Sequence, residues 1–422
     1  MVELHKIGTS DTPKETFLAK MRELQREVTL DEIAEILETT IKEDRENKLI
    51  TFLCMLLNYT KEDQQNIIFK SESSRGKTYI PTEIAKYFPR KDIKKLANCT
   101  PRAFYHEWGN YDKETNTIII NLRKQILIFQ EQRNSELLKE LRPLLSHDSK
   151  VITSKITDRN KRQGHKTKTV ALIGYPTVVF CSAGAKLQEQ ELTRCIILSP
   201  EATKEKLQAS IELLTEKLSN TTEFDTNLTQ NQKRTWLVNR IDAIRQKQVD
   251  HIIIPEDLKL LIFDQFSEDH PYLQPRHQRD YKRLFDLIKA HALLNATQRE
   301  EILNGEEKCI IANHVDCAEG YSLYKDVAES NELGLSPETY EIWTQVIQPE
   351  INPGLRKNQI ALYYFQTFHR NLSKRRLDNT ITELLAAGLI YEDKDEQDKR
   401  VTLYKRLEIY TPEGGSSHVE SL

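Results

Sequence analysis

Gly76, Lys77 and Thr78 close a short polar run, Ser71-Glu72-Ser73-Ser74-Arg75, and their types are those that hold phosphate. A phosphate loop needs backbone N–H groups turned inward around the oxygens, an ammonium long enough to reach the terminal phosphates, and a hydroxyl for Mg²⁺. Lys77 has the ammonium, Thr78 the hydroxyl, and Ser71 stands where the motif's first glycine would be. Only 13 of 422 residues are glycine, against a norm of ~7%, so the one at position 76 is informative.

Three further positions could complete such a site. The apolar run Ile126-Leu127-Ile128-Phe129 ends at Gln130-Glu131-Gln132. A buried strand ending in a carboxylate serves the Mg²⁺ shell and the attacking water, and Glu131 is the carboxylate at that end. A second run, Thr177-Val178-Val179-Phe180-Cys181, ends at Ser182, near where a terminal phosphate would lie. Arg194, just before Cys195-Ile196-Ile197-Leu198, has the chemistry of an arginine finger, acting in cis or from a neighbouring subunit.

The elements that must position these residues follow from hydrophobic patterning. Ile67-Ile68-Phe69 before the loop reads as a strand, and Glu83 to Tyr87 after it as a helix. Upstream, Leu30, Ile33, Ile36, Leu37 and Ile41, then Leu49, Phe52, Leu53, Leu56 and Leu57, recur at helical spacing. Ala103 to Trp108 fits strand or helix, and Gly109 to Asp112 reads as a turn. Between Lys150 and Val170 two alternating runs flank a basic tip, which predicts a hairpin offering Lys161, Arg162, His165, Lys166 and Lys168 to nucleic-acid phosphates. The chain then turns helical over 201–219 and 231–248, with Ile252-Ile253-Ile254-Pro255 opening another helix and Arg279 near the start of a helix that buries Leu284, Leu287 and Ile288.

After Ser336-Pro337 the pattern restarts. Ser373 is placed to cap a helix whose Leu377, Ile381, Leu384 and Leu385 face inward, with Lys374, Arg375 and Arg376 on its surface and Gly388 as its stop. Two strands around a charged turn, residues 389–391 and 401–404, complete a winged helix-turn-helix pattern, whose recognition helix lies in a DNA major groove. The expected divisions are an N-terminal helical segment (1–60), a P-loop core with the basic hairpin at 150–173 (61–200), a helical connector and lid (201–334), the winged domain (335–410) and a disordered tail (411–422).

Composition narrows the class. Charged residues are 30% of the chain yet the net charge is -3, so attraction to DNA must be local. No apolar run reaches the ~18 residues of a membrane span and no leader-like segment opens the chain, which predicts a soluble, cytoplasmic protein. Cys54, Cys99, Cys181, Cys195, Cys309 and Cys317 are scattered without metal-ligand spacing, so buried free thiols and no zinc site are expected.

The order of phosphate loop, acidic strand end, basic hairpin, polar strand end, arginine, arginine-bearing lid and winged helix resembles the AAA+ ATPases, and among them the MCM-like helicases. The stretch Arg279-Asp280-Tyr281-Lys282-Arg283-Leu284-Phe285-Asp286-Leu287-Ile288-Lys289-Ala290-His291-Ala292 is similar to the MCM sensor-2 helix, with Arg279 at the sensor-2 arginine. The resemblance covers roughly residues 60–335. It implies that residues 71–78 are Walker A, Glu131 is Walker B, Ser182 is sensor 1 and Arg194 is the arginine finger. It further implies ATP and Mg²⁺ as cofactors and a hexameric homo-oligomer on DNA as the working form, nucleoid or mobile-element associated. The chain departs from the family at Ser71, in the reduced acidic pair, in serine as sensor 1 and in lacking a zinc-bearing N-terminal domain. Three functions follow as expectations: a DNA translocase or helicase in replication; an ATP-dependent initiator, loader or transposition regulator that does not translocate; or an adaptor without ATPase activity.

Overall fold

A computed structural model of the chain describes residues 26–407, apart from 72–74, 98, 101–102, 108, 131–134, 159–165, 183–193, 202, 271–272, 274–275 and 396–398. The chain divides into two compact units, Met1–Ser336 and Pro337–Leu422. In the first, the described strands are β1 (Asn66–Lys70), β2 (Ile93–Leu96), β3 (Asn110–Asp112), β4 (Thr117–Asn121), β5 (Ile126–Phe129), β6 (Val151–Asp158), β7 (Lys166–Ile173), β8 (Thr177–Ser182), β9 (Cys195–Leu198), β10 (His251–Ile253), β11 (Glu301–Asn304) and β12 (Glu307–Ile311).

A central sheet runs β2-β5-β8-β1-β9 with every pairing parallel, so the protein is α/β. Its inner strands are continuous apolar runs because both faces are covered. Alternate residues divide between two cores. Ile67, Phe69, Ile128, Val179, Ile196 and Leu198 pack with the helices Leu30–Glu38, Arg45–Leu56 and His277–Leu294, so the N-terminal helices share one core with the sheet. Ile68, Leu127, Phe129, Val178 and Phe180 face a second layer, where Leu141 and Leu144 of the Ser135–Leu145 helix meet Ile156, Val170 and Leu172. That layer is a four-stranded sheet, β3-β4-β7-β6, in which β6 and β7 form the expected antiparallel hairpin from Val151↔Ile173 to Asp158↔Lys166.

Ala103–His106, open between strand and helix, is a 3-10 helix. Local readings fail in two places. Asn110–Asp112 is a short strand beside β4, although it reads as a turn. The isoleucines at 252–254 do not open a helix: His251–Ile253 is a strand on β12, and Pro255 caps the helix Glu256–Asp269. Three adjacent β-branched side chains favour the pleated chain, and helix begins only where Pro255 sets φ.

Helices His277–Leu294 and His314–Glu332 pack almost backbone to backbone. A Cβ on Gly320 would lie 2.5 Å from the Ile288 Cα, so any larger residue there must separate the helices. On the first of them Asp286 is fully buried, and burial pushes its carboxyl up to about 6, with Lys282 opposing and the nearby Asp63 adding to the rise. Because the folded value lies above the unfolded one, this group's stabilising contribution is complete below about pH 4 and is lost as pH rises through 6. Raising the carboxyl to about 6 corresponds to about 3 kcal/mol above that pH. Asp286→Asn is therefore expected to gain about 2–3 kcal/mol on wild type between pH 4.5 and 7.5, read by urea denaturation. Parallel stability curves for the two proteins would show that Asp286 does not titrate in this window.

The second unit contains the helices Pro337–Ile342, Lys357–Phe368 and Lys374–Ala386, then an antiparallel hairpin of β13 (Ile390–Lys394) and β14 (Thr402–Arg406). Leu355 bridges to Tyr404 and adds a third strand position.

Candidate functional site

At Gly76 the loop after β1 has the backbone that its sequence demands. Gly76 has φ +89, and no atom lies within 4 Å of where its Cβ would be, so conformation and not crowding calls for glycine. The Lys77 ammonium folds back over the loop and donates to the Ser71 carbonyl at 3.4 Å. Ile80 N–H bonds to the Gly76 carbonyl at 3.0 Å, starting the helix Tyr79–Ile84, which continues as a 3-10 turn to Tyr87. Of the expected cradle, Ser71, Arg75, Gly76, Lys77 and Thr78 are described; Glu72, Ser73 and Ser74 lie outside the described residues.

Parallel register sets other strand ends beside this loop. Phe69 is level with Cys181 and Lys70 with Ser182. Burial pushes the Cys181 thiol up to about 12, opposed by a hydrogen bond with Thr78 and by the Lys77 charge, so Thr78 meets the end of β8 and Lys77 is close by. On the other side of β8, Phe129 ends β5 level with Phe180, their rings stacked at 5.1 Å. Gln130 follows, its N–H on the Leu96 carbonyl at 2.9 Å. Glu131 lies outside the described residues.

Arg194 and Arg279 are at the opposite edge of the sheet. Asn66 pairs with Cys195, so Arg194 is level with Gln65. Ser71 is six residues further along, roughly 20 Å at ~3.3 Å per residue. Arg194 Nε donates to Ser146 Oγ, and both line a cleft of about 140 Å³ with His147, Arg279 and Lys282. That volume is below the ~300 Å³ at which small-molecule pockets begin, so the cleft alone is too small for a nucleotide. Burial and the Lys282 charge push His147 down to about 3, leaving its ring neutral. The cleft's positive charge therefore comes from the arginines and Lys282. Among the arginines of this helix start, Arg283 is buried, paired with Asp280 at 2.6 Å and donating to the Cys195 carbonyl at 2.8 Å, whereas Arg279 is exposed. Arg283 anchors the helix to β9, and Arg279 is presented outward.

No protein-family model and no curated protein matches this chain. The chemistry must therefore be read from the site itself.

The hairpin reaches the last described pair at Asp158↔Lys166; Lys161, Arg162 and His165 lie outside the described residues, and Lys168 is half-buried opposite Ile156. In the second unit the Lys374–Ala386 helix is capped by Ser373 as expected. Lys374, Arg375, Asn379 and Thr382 are exposed on it. Arg376 is not part of that outward face. It is 8% exposed, paired with Glu338, with its guanidinium over the Tyr364 ring. Helical periodicity accounts for this, since Arg376 stands four residues before the buried Thr380.

All six cysteines are free, and Cys54, Cys181, Cys195 and Cys309 are buried. Among the described residues no helix is long and apolar enough to cross a membrane. Ser146 and His147, absent from the sequence-based site, join it because the chain leaving the Ser135–Leu145 helix passes the start of β9. No local motif marks them.

Proposed function

We propose that the protein is an ATP-driven DNA translocase or helicase of the AAA+ class, MCM-like, working as a ring of identical subunits. The observation that carries this reading is the strand order. β1 lies between β8 and β9, neither of them its neighbour in the chain, and the Gly76-Lys77-Thr78 loop leaves its carboxyl end beside that of β8. In open parallel sheets, ligands bind outside the carboxyl ends where the strand order reverses. Lys77 would hold the terminal phosphates, and Thr78 with Glu131 would hold Mg²⁺. The bound ion would neutralise charge on the phosphoryl oxygens. Glu131 would polarise water and Ser182 position it. Arg194 and Arg279, a strand length from their own loop, would serve the nucleotide of an adjoining copy.

The deciding experiment is the ATPase rate with and without single-stranded DNA, together with particle size in ATP. Translocation predicts strong DNA stimulation in a ring-sized particle; a slow, unstimulated rate would overturn it. Replacing Lys161, Arg162 and Lys166 by Ala should spare the basal rate, weaken DNA binding about tenfold and flatten its salt dependence by about 2–3 in log–log slope. Unchanged stimulation would remove the hairpin from the DNA path.

A second reading, an initiator, loader or transposition regulator, is favoured by the outward face of the Lys374–Ala386 helix. Arg375, Asn379 and Thr382 there are residue types that read base edges in a major groove. It predicts slow hydrolysis and ATP-dependent binding to duplex DNA.

A further inference from the structure

Tyr79 follows Thr78 directly and is 46% exposed, although its neighbours Ile80 and Ile84 are buried. Its hydroxyl donates to the Thr40 carbonyl at 2.8 Å, and burial with the nearby Glu83 pushes the phenol up to about 12, so it stays protonated and donating. The acceptor belongs to a fixed segment. Asp44, four residues on, is fully buried and bonded to Lys206, to Asn47 Nδ2 at 3.0 Å and to the Glu201 N–H at 2.7 Å. An exposed aromatic ring is thus held at its far end to rigid backbone, and it has little rotamer freedom left to lose when something stacks on it.

The direction of the loop says what that is. Thr78 bonds to Cys181 at the end of β8 and Lys77 is close enough for its charge to act on that thiol, which makes that side the terminal-phosphate end, because the motif's lysine reaches the outer phosphates while the loop amides cradle the inner ones. A nucleotide lying in the loop must carry its nucleoside away from β8. Tyr79 is turned that way, towards Thr40, whose segment is tied through Asp44 and Asn47 to residues 199–201 just after β9, on the far side of β1 from β8.

Resting on the phosphate-loop reading, we propose that the Tyr79 ring is the stacking platform for the base of a bound purine nucleoside triphosphate. Stacking recognises the flat face of the base, so ATP and GTP should both benefit and inorganic tripolyphosphate should not.

The test is calorimetric titration of the full chain with Mg²⁺ and ATP, GTP or tripolyphosphate, for wild type, Tyr79→Leu, Tyr79→Phe and Lys77→Ala. Tyr79→Leu should weaken ATP and GTP about tenfold or more and leave tripolyphosphate within about twofold. Tyr79→Phe, which keeps the ring and loses the tether, should stay within about threefold of wild type for ATP. Equal losses for ATP and tripolyphosphate in Tyr79→Leu would mean that the ring only braces the loop, and would overturn this inference alone. Unchanged ATP affinity in that variant would do the same. Failure of wild type to bind either ligand would overturn the phosphate-loop reading and this inference with it.

Discussion

Arg194→Ala is expected to lower ATP hydrolysis by about 10³-fold or more while ATP affinity stays within about twofold. The reason is position. Arg194 is level with Gln65 at the amino edge of the sheet, and the loop that would hold ATP leaves the carboxyl edge. A guanidinium side chain does not cross the strand between them, so any contact Arg194 makes with a terminal phosphate belongs to an adjoining copy. Loss of the arginine then removes stabilisation of the transition state and not ground-state binding. Arg194 also bonds to Ser146, so unfolding of the variant should be checked and should shift little. Mixing makes the test sharper. Lys77→Ala lacks the cis half of a site and Arg194→Ala the trans half, so an equal mixture should regain about a quarter of wild-type sites at random assembly, where neither variant alone is active. Activity that never recovers on mixing, together with ATP binding lost in Arg194→Ala, would place the arginine's role within its own subunit.

That the loop and the sheet strands were legible while the arginine cleft was not has a physical cause. Strands buried on both faces are continuous apolar runs, so Ile67-Ile68-Phe69, Ile126 to Phe129 and Val178 to Cys181 announce themselves. The cleft depends on parallel register, which sets Asn66 beside Cys195 although 128 residues intervene, and no local pattern encodes it. Other misses were avoidable. Asn304↔Glu307 closes a two-residue turn, Gly305-Glu306, with Gly305 at φ +66, and a glycine able to take the first position of such a turn is a hairpin signal that this stretch carries. Lys374, Arg375 and Arg376 read together as one basic surface, but three consecutive residues are spread over some 200° of a helix and do not share one face.

These two levels meet on one helix. His277–Leu294 presents Arg279 and Lys282 to the cleft near its start, and near its end His291 is tied into a buried polar network. The position of Arg279 therefore depends on how firmly the far end is held. The placement of Arg279 is inherited from packing at Ile288 against Gly320 and from the hydrogen bond between His291 and Asp316.

Asp316→Ala should destabilise the larger unit by about 3–5 kcal/mol. Its carboxylate is inaccessible to solvent and accepts four hydrogen bonds: from His291 Nδ1, Arg299 Nε and Arg299 Nη2 at 2.7 Å each, and from the Asn313 N–H at 2.9 Å. Burial alone would raise its pKa, but Arg299, His291 and the Asn313 amide outweigh it and hold the carboxyl below its ordinary range. Its contribution is therefore complete above about pH 4 and is lost only as pH falls through the depressed folded value, the opposite sense to Asp286. Removing the carboxylate leaves Arg299, buried, with the partly exposed Glu27 as its carboxylate partner among the described residues, and also takes away the capping box of the His314–Glu332 helix. A chain of two compact units need not unfold in one step. The measurement is thus the thermal transition of the Met1–Ser336 unit, expected to fall by about 5–10 °C while that of Pro337–Leu422 stays in place. Arg299→Met added to Asp316→Ala should restore part of the loss, because it withdraws the stranded charge and keeps most of the volume. Additive losses in the double variant would show that the two side chains do not act as a pair.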